Sequence, residues 1–368
     1  MSGVFLYGTL RHLPLLRIVV GPEADAGVKA RLPGHAVYRV KDQDFPMIAE
    51  APGAVAEGLF LPDISDTAKA RMDFYEAGFD FDRRPVEVET AQGSRSATVF
   101  FPASGHWQAG PAWSLADWAR SWGRVAERAA DEIMERFGQD DAAAIARFRP
   151  QIWQRAASQV RAQADRPAIG VRIGFRDTDV KTTSTTRPYN KYFMLEERQV
   201  QFRLFKGGFS EPVARAAFAS GDAVTVLPYD PVRDRVLFGA YVRGDTAPWS
   251  LEPIAGRIDA GEAPEDRARR ESMEESRLAL ISLEPVARYY PSPGAVSEYL
   301  FSYIGIADLP DSAGGVGGLD SESEDIRSVV LPFDELMGLL DSGEAENGPY
   351  ILSALWLAAN TERMRRAA

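Results

Sequence analysis

The sequence predicts a two-part α+β protein: a strand-rich amino-terminal domain, a helical connector, and a carboxy-terminal domain mixing strands with helices. Three observations carry this. Brief apolar or alternating runs punctuated by Gly and Pro recur through residues 1–113. A stretch rich in Ala, Arg, Glu and Gln follows over 114–165, with apolar residues at helical spacing. Strand patterns then return over 166–368, interrupted by segments of helical character. A length of 368 residues suits two domains and a connector.

In the first domain the strand runs are Val4–Tyr7, Ala36–Arg39, Gly58–Leu61, Val86–Glu89 and Ala97–Phe101. In the connector, Ser114 suits an N-cap, and Trp118, Trp122, Val125, Ala129 and Ile133 recur at helical intervals. Gly138-Gln-Asp-Asp breaks that pattern, so two helices are expected. In the last domain, Val224 to Gly239 reads as strand, Pro/Asp turn, strand: a hairpin. Tyr299–Ile306 is a strand run, and Asp334–Leu340 and Tyr350–Arg365 are helical. Residues 311–325, rich in Gly, Ser and acids, read as a flexible loop.

Composition excludes several classes. There is no cysteine, hence no disulfide, thiolate nucleophile or Cys-containing zinc site. His12, His35 and His106 lack metal-ligand spacing. The net charge of −11 argues against a nucleic-acid partner. No apolar stretch is long enough to span a membrane, and the start lacks a secretory pattern, so a cytoplasmic protein is expected. A hard cation held by oxygen ligands remains compatible with this composition.

The segment Gly256 to Leu278 carries the chemistry. Pro264 suits a first helical turn, and Glu265 and Asp266 suit the positive end of a helix running to about Arg277. Glu271, Glu274 and Glu275 fall at i, i+3 and i+4, on one face, beside Arg270. Three carboxylates so close repel one another unless a cation joins them, and Mg²⁺ favours such oxygen sites while leaving room for substrate phosphates. Ala268 and Met273 make too thin an apolar stripe for packing alone to explain the helix.

The full spacing is Gly256, five residues, Glu262, seven residues, Arg270-Glu271, two residues, Glu274-Glu275. It resembles the signature box of the Nudix hydrolases. The resemblance implies an α-β-α sandwich, a mixed sheet with flanking helices, and a metal site at Glu271, Glu274 and Glu275 that uses Mg²⁺ or Mn²⁺. It departs from the family pattern twice: Ser272 replaces an aliphatic residue, and Arg277 replaces a helix-ending Gly at a cost of about 1 kcal/mol. Tyr290-Pro-Ser-Pro-Gly after the box resembles the ADP-ribose pyrophosphatase group, with Pro293 at its specificity position. Over about residues 190–360 that likeness implies a nucleoside diphosphate substrate and the Ala255 carbonyl as a further metal ligand. It gives diphosphate contact to Arg243, or more weakly to Arg215. It places a general base in Glu322-Ser-Glu-Asp-Ile, at Glu322 with Glu324 as the alternate, and implies a homodimer. The alternative is a protein that binds the nucleotide as a sensor or scaffold without hydrolysing it.

Phe5-Leu-Tyr-Gly-Thr-Leu and Asp73-Phe-Tyr-Glu-Ala-Gly resemble two motifs of the gamma-glutamylcyclotransferase-like (AIG2-like) family. That likeness implies a small β-barrel with helices, a carboxylate-binding loop at Tyr7, Gly8, Thr9 and Leu10, and a catalytic acid at Glu76. The pairing of both modules resembles TrgB-type tellurite-resistance proteins.

Overall fold

The computed structural model describes residues 3–79, 81–103, 105, 107–164, 176–242, 249–319 and 324–366. They form two compact units that divide between Val160 and Arg161.

The first unit contains strands β1 (Gly3–Leu6), β2 (Val28–Val40), β3 (Pro46–Leu61), β4 (Phe81–Thr90), β5 (Gly93–Pro102) and β6 (Ala109–Ala112). Helices α1 (Leu13–Val20) and α2 (Asp66–Glu76) lie between strands. The order β3-β1-β5-β4-β2-β6, with β2 also paired to β3, closes five strands into a small barrel. Each short run seen in the sequence falls inside one of these strands, except that Tyr7 lies one residue past β1, but β2 and β3 extend to 13 and 16 residues. They form one long hairpin, from Val28 opposite Phe60 to Arg39 opposite Pro46. Their length is invisible locally because many positions on both strands are exposed or half-exposed, which blurs the apolar alternation. Phe5, Leu32, Ile48, Phe60, Val88 and Val99 fill the barrel.

Helices α3 (Leu115–Glu135) and α4 (Ala142–Ala164) occupy the connector region. Ser114 caps α3, its hydroxyl accepting from the Asp117 amide. All of α3, and α4 as far as Val160, belong to the first unit by packing. Between the two helices, inside the protein, Arg155 is ion-paired to Glu132.

The second unit opens with a three-stranded antiparallel sheet of β7 (Val180–Asn190), β8 (Met194–Phe202) and β9 (Val213–Ala219). The larger sheet contains β10 (Ala223–Asp230), β11 (Arg235–Val242), β12 (Trp249–Glu252), β13 (Ile254–Arg257), β14 (Ser282–Tyr289), β15 (Leu300–Ile306), β16 (Gly315–Gly317) and β17 (Ile326–Pro332). Its main order is β14-β15-β10-β11-β17-β16, with β12 on β11 and β13 on β10; β10 and β15 run parallel. Helix α5 (Pro264–Ser276) covers one face, and α6 (Phe333–Ser342) and α7 (Gly348–Arg366) belong to the other.

The side chains of β10 show the sandwich directly. All eight are buried, because both faces of the strand are covered. Val224 and Val226 join Ala268 and Leu278 on the α5 side; Leu227 and Tyr229 join Leu336, Tyr350 and Leu357 on the α6–α7 side. The predicted hairpin is β10–β11, and the predicted helices appear as α5, α6 and α7 within one to two residues at each end. One expectation fails in part: the 311–325 loop contains β16, whose Gly315, Val316 and Gly317 pair with Ser328, Arg327 and Ile326. Glycine-rich strands carry no side-chain pattern from which to read them.

Candidate active site

Helix α5 begins as its sequence suggests, with Pro264 in the first turn and Glu265 and Asp266 near the dipole's positive end. It ends at Arg277, which adopts the left-handed conformation (φ 55°, ψ 28°). The Arg277 amide donates to Met273 O and the Leu278 amide to Ser272 O, both at 3.0 Å; the first is the 5→1 bond of an αL cap. Arg therefore occupies the position where Gly would relieve strain. The other departure is accommodated: Ser272 is fully buried, and its hydroxyl donates to Ala268 O at 2.8 Å.

The buried face of α5 is polar. Arg267, Glu271 and Glu275 are 7%, 5% and 1% exposed, whereas Met273 points outward. A helix that buries two carboxylates and exposes its methionine is not held by an apolar stripe. Glu271 is ion-paired with Arg267, one turn away. Glu275 accepts a hydrogen bond from the Tyr241 hydroxyl of β11 through Oε2. Its Oε1 is buried and has no hydrogen-bond partner among the described residues. Burial pushes the Glu275 carboxyl up to about 8, and Glu271 and Glu324 push the same way. The Tyr241 hydroxyl and the Ala255 backbone amide oppose that shift.

Two glycines permit this approach. A Cβ on Gly256, in β13, would fall 1.7 Å from Glu271 Oε1. A Cβ on Gly317, in β16, would fall 1.8 Å from the carbonyl oxygen of Glu275. The unforeseen strand β16 thus lies directly on the end of the carboxylate helix.

Arg270 ties the preceding loop to the helix. It donates to Glu262 (2.9 and 3.0 Å) and Asp259 (2.7 Å), and more weakly to Glu274 at 3.4 Å. Burial opposes its charge, but Glu262, Glu274 and Asp259 prevail and raise its pKa. Glu274 is thereby turned toward Arg270. Among the described residues no three His, Asp or Glu side chains come together as a cation cage. Glu271 and Glu275 converge; Glu274 stands beside them. A divalent cation fits this donor set, since it would supply the partner that Glu275 Oε1 lacks and offset the mutual repulsion of the carboxylates.

Of the other expected residues, Glu324 lies near enough to Glu275 to act on its charge, and accepts from the Leu319 amide at 3.4 Å. Arg243 and Glu322 lie outside the described residues. Pro293 sits exposed in a turn where the Ala295 and Val296 amides donate to Ser292 O. Arg215 is exposed on β9 in the separate three-stranded sheet, its Nη1 donating to Ala214 O. Ala255 lies in β13, paired with Thr225. Sequence reasoning missed Tyr241 and Arg267. Their only signal is spatial: a strand partner 34 positions away, and an arginine that looked like one more surface charge.

In the first unit, the loop after β1 and the end of α2 come together. Tyr7 is buried, and its phenol is held protonated first by burial and then by the charge of Glu76. Gly8 faces Pro46, whose Cγ a Cβ would meet at 3.0 Å, while Thr9 and Leu10 form a short 3₁₀ turn. Burial pushes the Glu76 carboxyl up to about 7, against the pull of Arg149.

The comparisons with known proteins agree with the two modules read from the sequence. A model described as "Gamma-glutamyl cyclotransferase, AIG2-like" matches residues 4–120, and one described as "NUDIX domain" matches 219–353. The ADP-ribose pyrophosphatase of Escherichia coli strain K12 is 34% identical over 199 residues, covering 52% of this chain and 94% of that protein. That of Haemophilus influenzae is 32% identical over 201 residues, covering 52% and 92%. A GDP-mannose pyrophosphatase of Pectobacterium atrosepticum is 30% identical over 169 residues, covering 44% and 84%. The chain belongs to the Nudix hydrolase family, in its ADP-ribose pyrophosphatase group, with an AIG2-like cyclotransferase module ahead of the Nudix domain.

Proposed function

We propose that the chain hydrolyses the diphosphate of ADP-ribose, or of a related nucleoside diphosphate sugar, giving AMP and ribose 5-phosphate from ADP-ribose. The observation that carries this reading is the buried Glu271–Glu275 pair, with one oxygen of Glu275 unpartnered among the described residues. Names of relatives that act on nucleoside diphosphate sugars support the substrate class. Glu271 and Glu275, with the Ala255 carbonyl, hold the cation, which we take to be Mg²⁺ with Mn²⁺ as substitute. When bound, that cation neutralises charge developing on the diphosphate and acidifies water. Arg270 keeps the loop and helix in register through Glu262 and Asp259. Glu322 or Glu324 accepts the proton of the attacking water, and the coupling of Glu324 to Glu275 supports the latter. Arg243 and Pro293 contact substrate, and the working form is a cytoplasmic homodimer.

Incubation with ADP-ribose and Mg²⁺ is expected to release AMP, and removing the cation with a chelator to stop it. Binding of ADP-ribose without AMP release at high protein concentration would instead make the domain a nucleotide sensor.

A second reading concerns the first unit. Glu76 is half-buried at the end of α2, and burial pushes its carboxyl up to about 7 beside the Tyr7–Leu10 loop. Those properties suit a group that moves a proton during lactam formation. Release of 5-oxoproline from a gamma-glutamyl substrate, lost in Glu76→Gln, is the expected result; equal release by that variant would remove Glu76 from the role.

A further inference from the structure

The helices behind the barrel bear directly on Glu76. We propose that Arg149, carried by α4 beyond the segment matched by the cyclotransferase model, is the positioning residue of the Glu76 site, clamping the backbone on either side of that carboxyl. The inference rests on the reading of Glu76 as a proton-carrying group.

Helix α2 ends at Glu76, leaving its last carbonyls without partners inside the helix. The Arg149 guanidinium partners one of them and the carbonyl just beyond the helix. Its Nη2 donates to Tyr75 O and, at 2.9 Å, to Ala77 O, so the two bonds bracket Glu76. The guanidinium carbon lies 4.5 Å from the centre of the Phe79 ring and 5.7 Å from that of Tyr75. The Phe79 amide donates back to Glu76 O at 3.3 Å. Gly78 adopts φ +91°, and a Cβ there would fall 2.8 Å from the Ala146 Cβ of α4. The turn after Glu76 is therefore pressed against α4 with no room for a side chain.

The remaining Arg149 nitrogens, Nε and Nη1, are buried and have no hydrogen-bond partner among the described residues. A guanidinium with so little solvent acts strongly on its neighbours. Among the described residues the groups facing Glu76 are Tyr7 from the loop after β1, Tyr75 from α2 and Arg149 from α4. Burial holds both tyrosines in their neutral form, so among the described residues Arg149 is the charge that acts on Glu76. Burial raises the affinity of Glu76 for its proton, and Arg149 limits that rise. On this reading α4 completes the site.

The test is a titration of the Glu76 carboxyl in the full-length protein labelled with ¹³C-carboxyl glutamate, the resonance assigned by its loss in Glu76→Gln. Arg149→Met is expected to raise the Glu76 midpoint by about one unit or more, a tenfold change in proton affinity, and Arg149→Lys to restore most of it. The acid limb of 5-oxoproline release should shift with the midpoint. An unchanged midpoint in folded Arg149→Met overturns the proposal. Should that variant fail to fold, Arg149→Gln, which keeps a donor for the carbonyls but loses the charge, decides in the same way. A shifted midpoint in a protein that releases no 5-oxoproline would discard the cyclotransferase reading and leave the clamp standing.

Discussion

Glu275→Gln is expected to lower the rate of diphosphate hydrolysis by about a thousandfold or more while leaving the fold intact. Losing one charged donor forfeits several kcal/mol of charge stabilisation, and each 1.4 kcal/mol is about a factor of ten. Glutamine is nearly isosteric, so the slot between Tyr241 and Ala255 stays filled.

The same substitution has an opposite effect on stability, which separates a catalytic loss from a folding defect. The folded Glu275 carboxyl is raised to about 8 from an ordinary 4.5, so the native protein binds a proton more tightly than the unfolded chain. That contribution is fully present below about pH 4.5 and is lost as pH rises through 8. Without a cation, Glu275→Gln is therefore expected to be more stable than wild type at pH 8, by an amount on the order of a few kcal/mol, and equal to it at pH 4. Added Mg²⁺ should stabilise wild type by binding its native state and leave the variant almost unmoved. Thermal melts at two pH values, with and without Mg²⁺, check this. A variant destabilised at pH 8 without metal would mean that the charged carboxylate is paired and that the cation reading is wrong.

How much of this was legible in the sequence depends on the range of the interaction. Pro264, Glu265 and Asp266 mark the start of α5 by local chemistry, and Ser114 marks the start of α3 in the same way. The carboxylate face also follows from spacing alone, because i, i+3 and i+4 is a property of any helix. The unequal fates of the three glutamates do not. Glu274 is diverted by Arg270, whose other partners come from the loop at Asp259 and Glu262, while Glu271 is turned inward by Arg267. Tyr241 and β16 reach the site only through sheet pairing. In the first unit the motifs brought Tyr7 and Glu76 into view, but the backbone clamp from Arg149 arrives from more than seventy residues away. Local patterns encode which groups exist; long-range packing decides which of them meet.

Gly256→Ala puts this division to a direct test, because its added methyl group strikes a functional side chain rather than the backbone. The new Cβ would lie 1.7 Å from Glu271 Oε1 and 2.2 Å from its Cδ, so the two cannot coexist as placed. Gly256 sits in a strand and has no positive φ, so alanine meets no backbone penalty there and gains somewhat from reduced freedom in the unfolded chain. The obstructed group is a buried carboxylate ion-paired with Arg267, so moving it aside weakens that pair and costs on the order of a few kcal/mol. A lower melting temperature is therefore expected. Metal binding should fall as well. Glu271 displaced from Glu275 leaves one donor where two converge, and a fall of about a hundredfold in metal affinity is expected, as for loss of a group that orients a ligand. Because both changes act through one carboxylate, Gly256→Ala added to Glu271→Gln should cost far less than it does alone, and a calorimetric Mg²⁺ titration of the single and double variants measures this. Strictly additive losses would show that Gly256 acts on the site by some route other than Glu271.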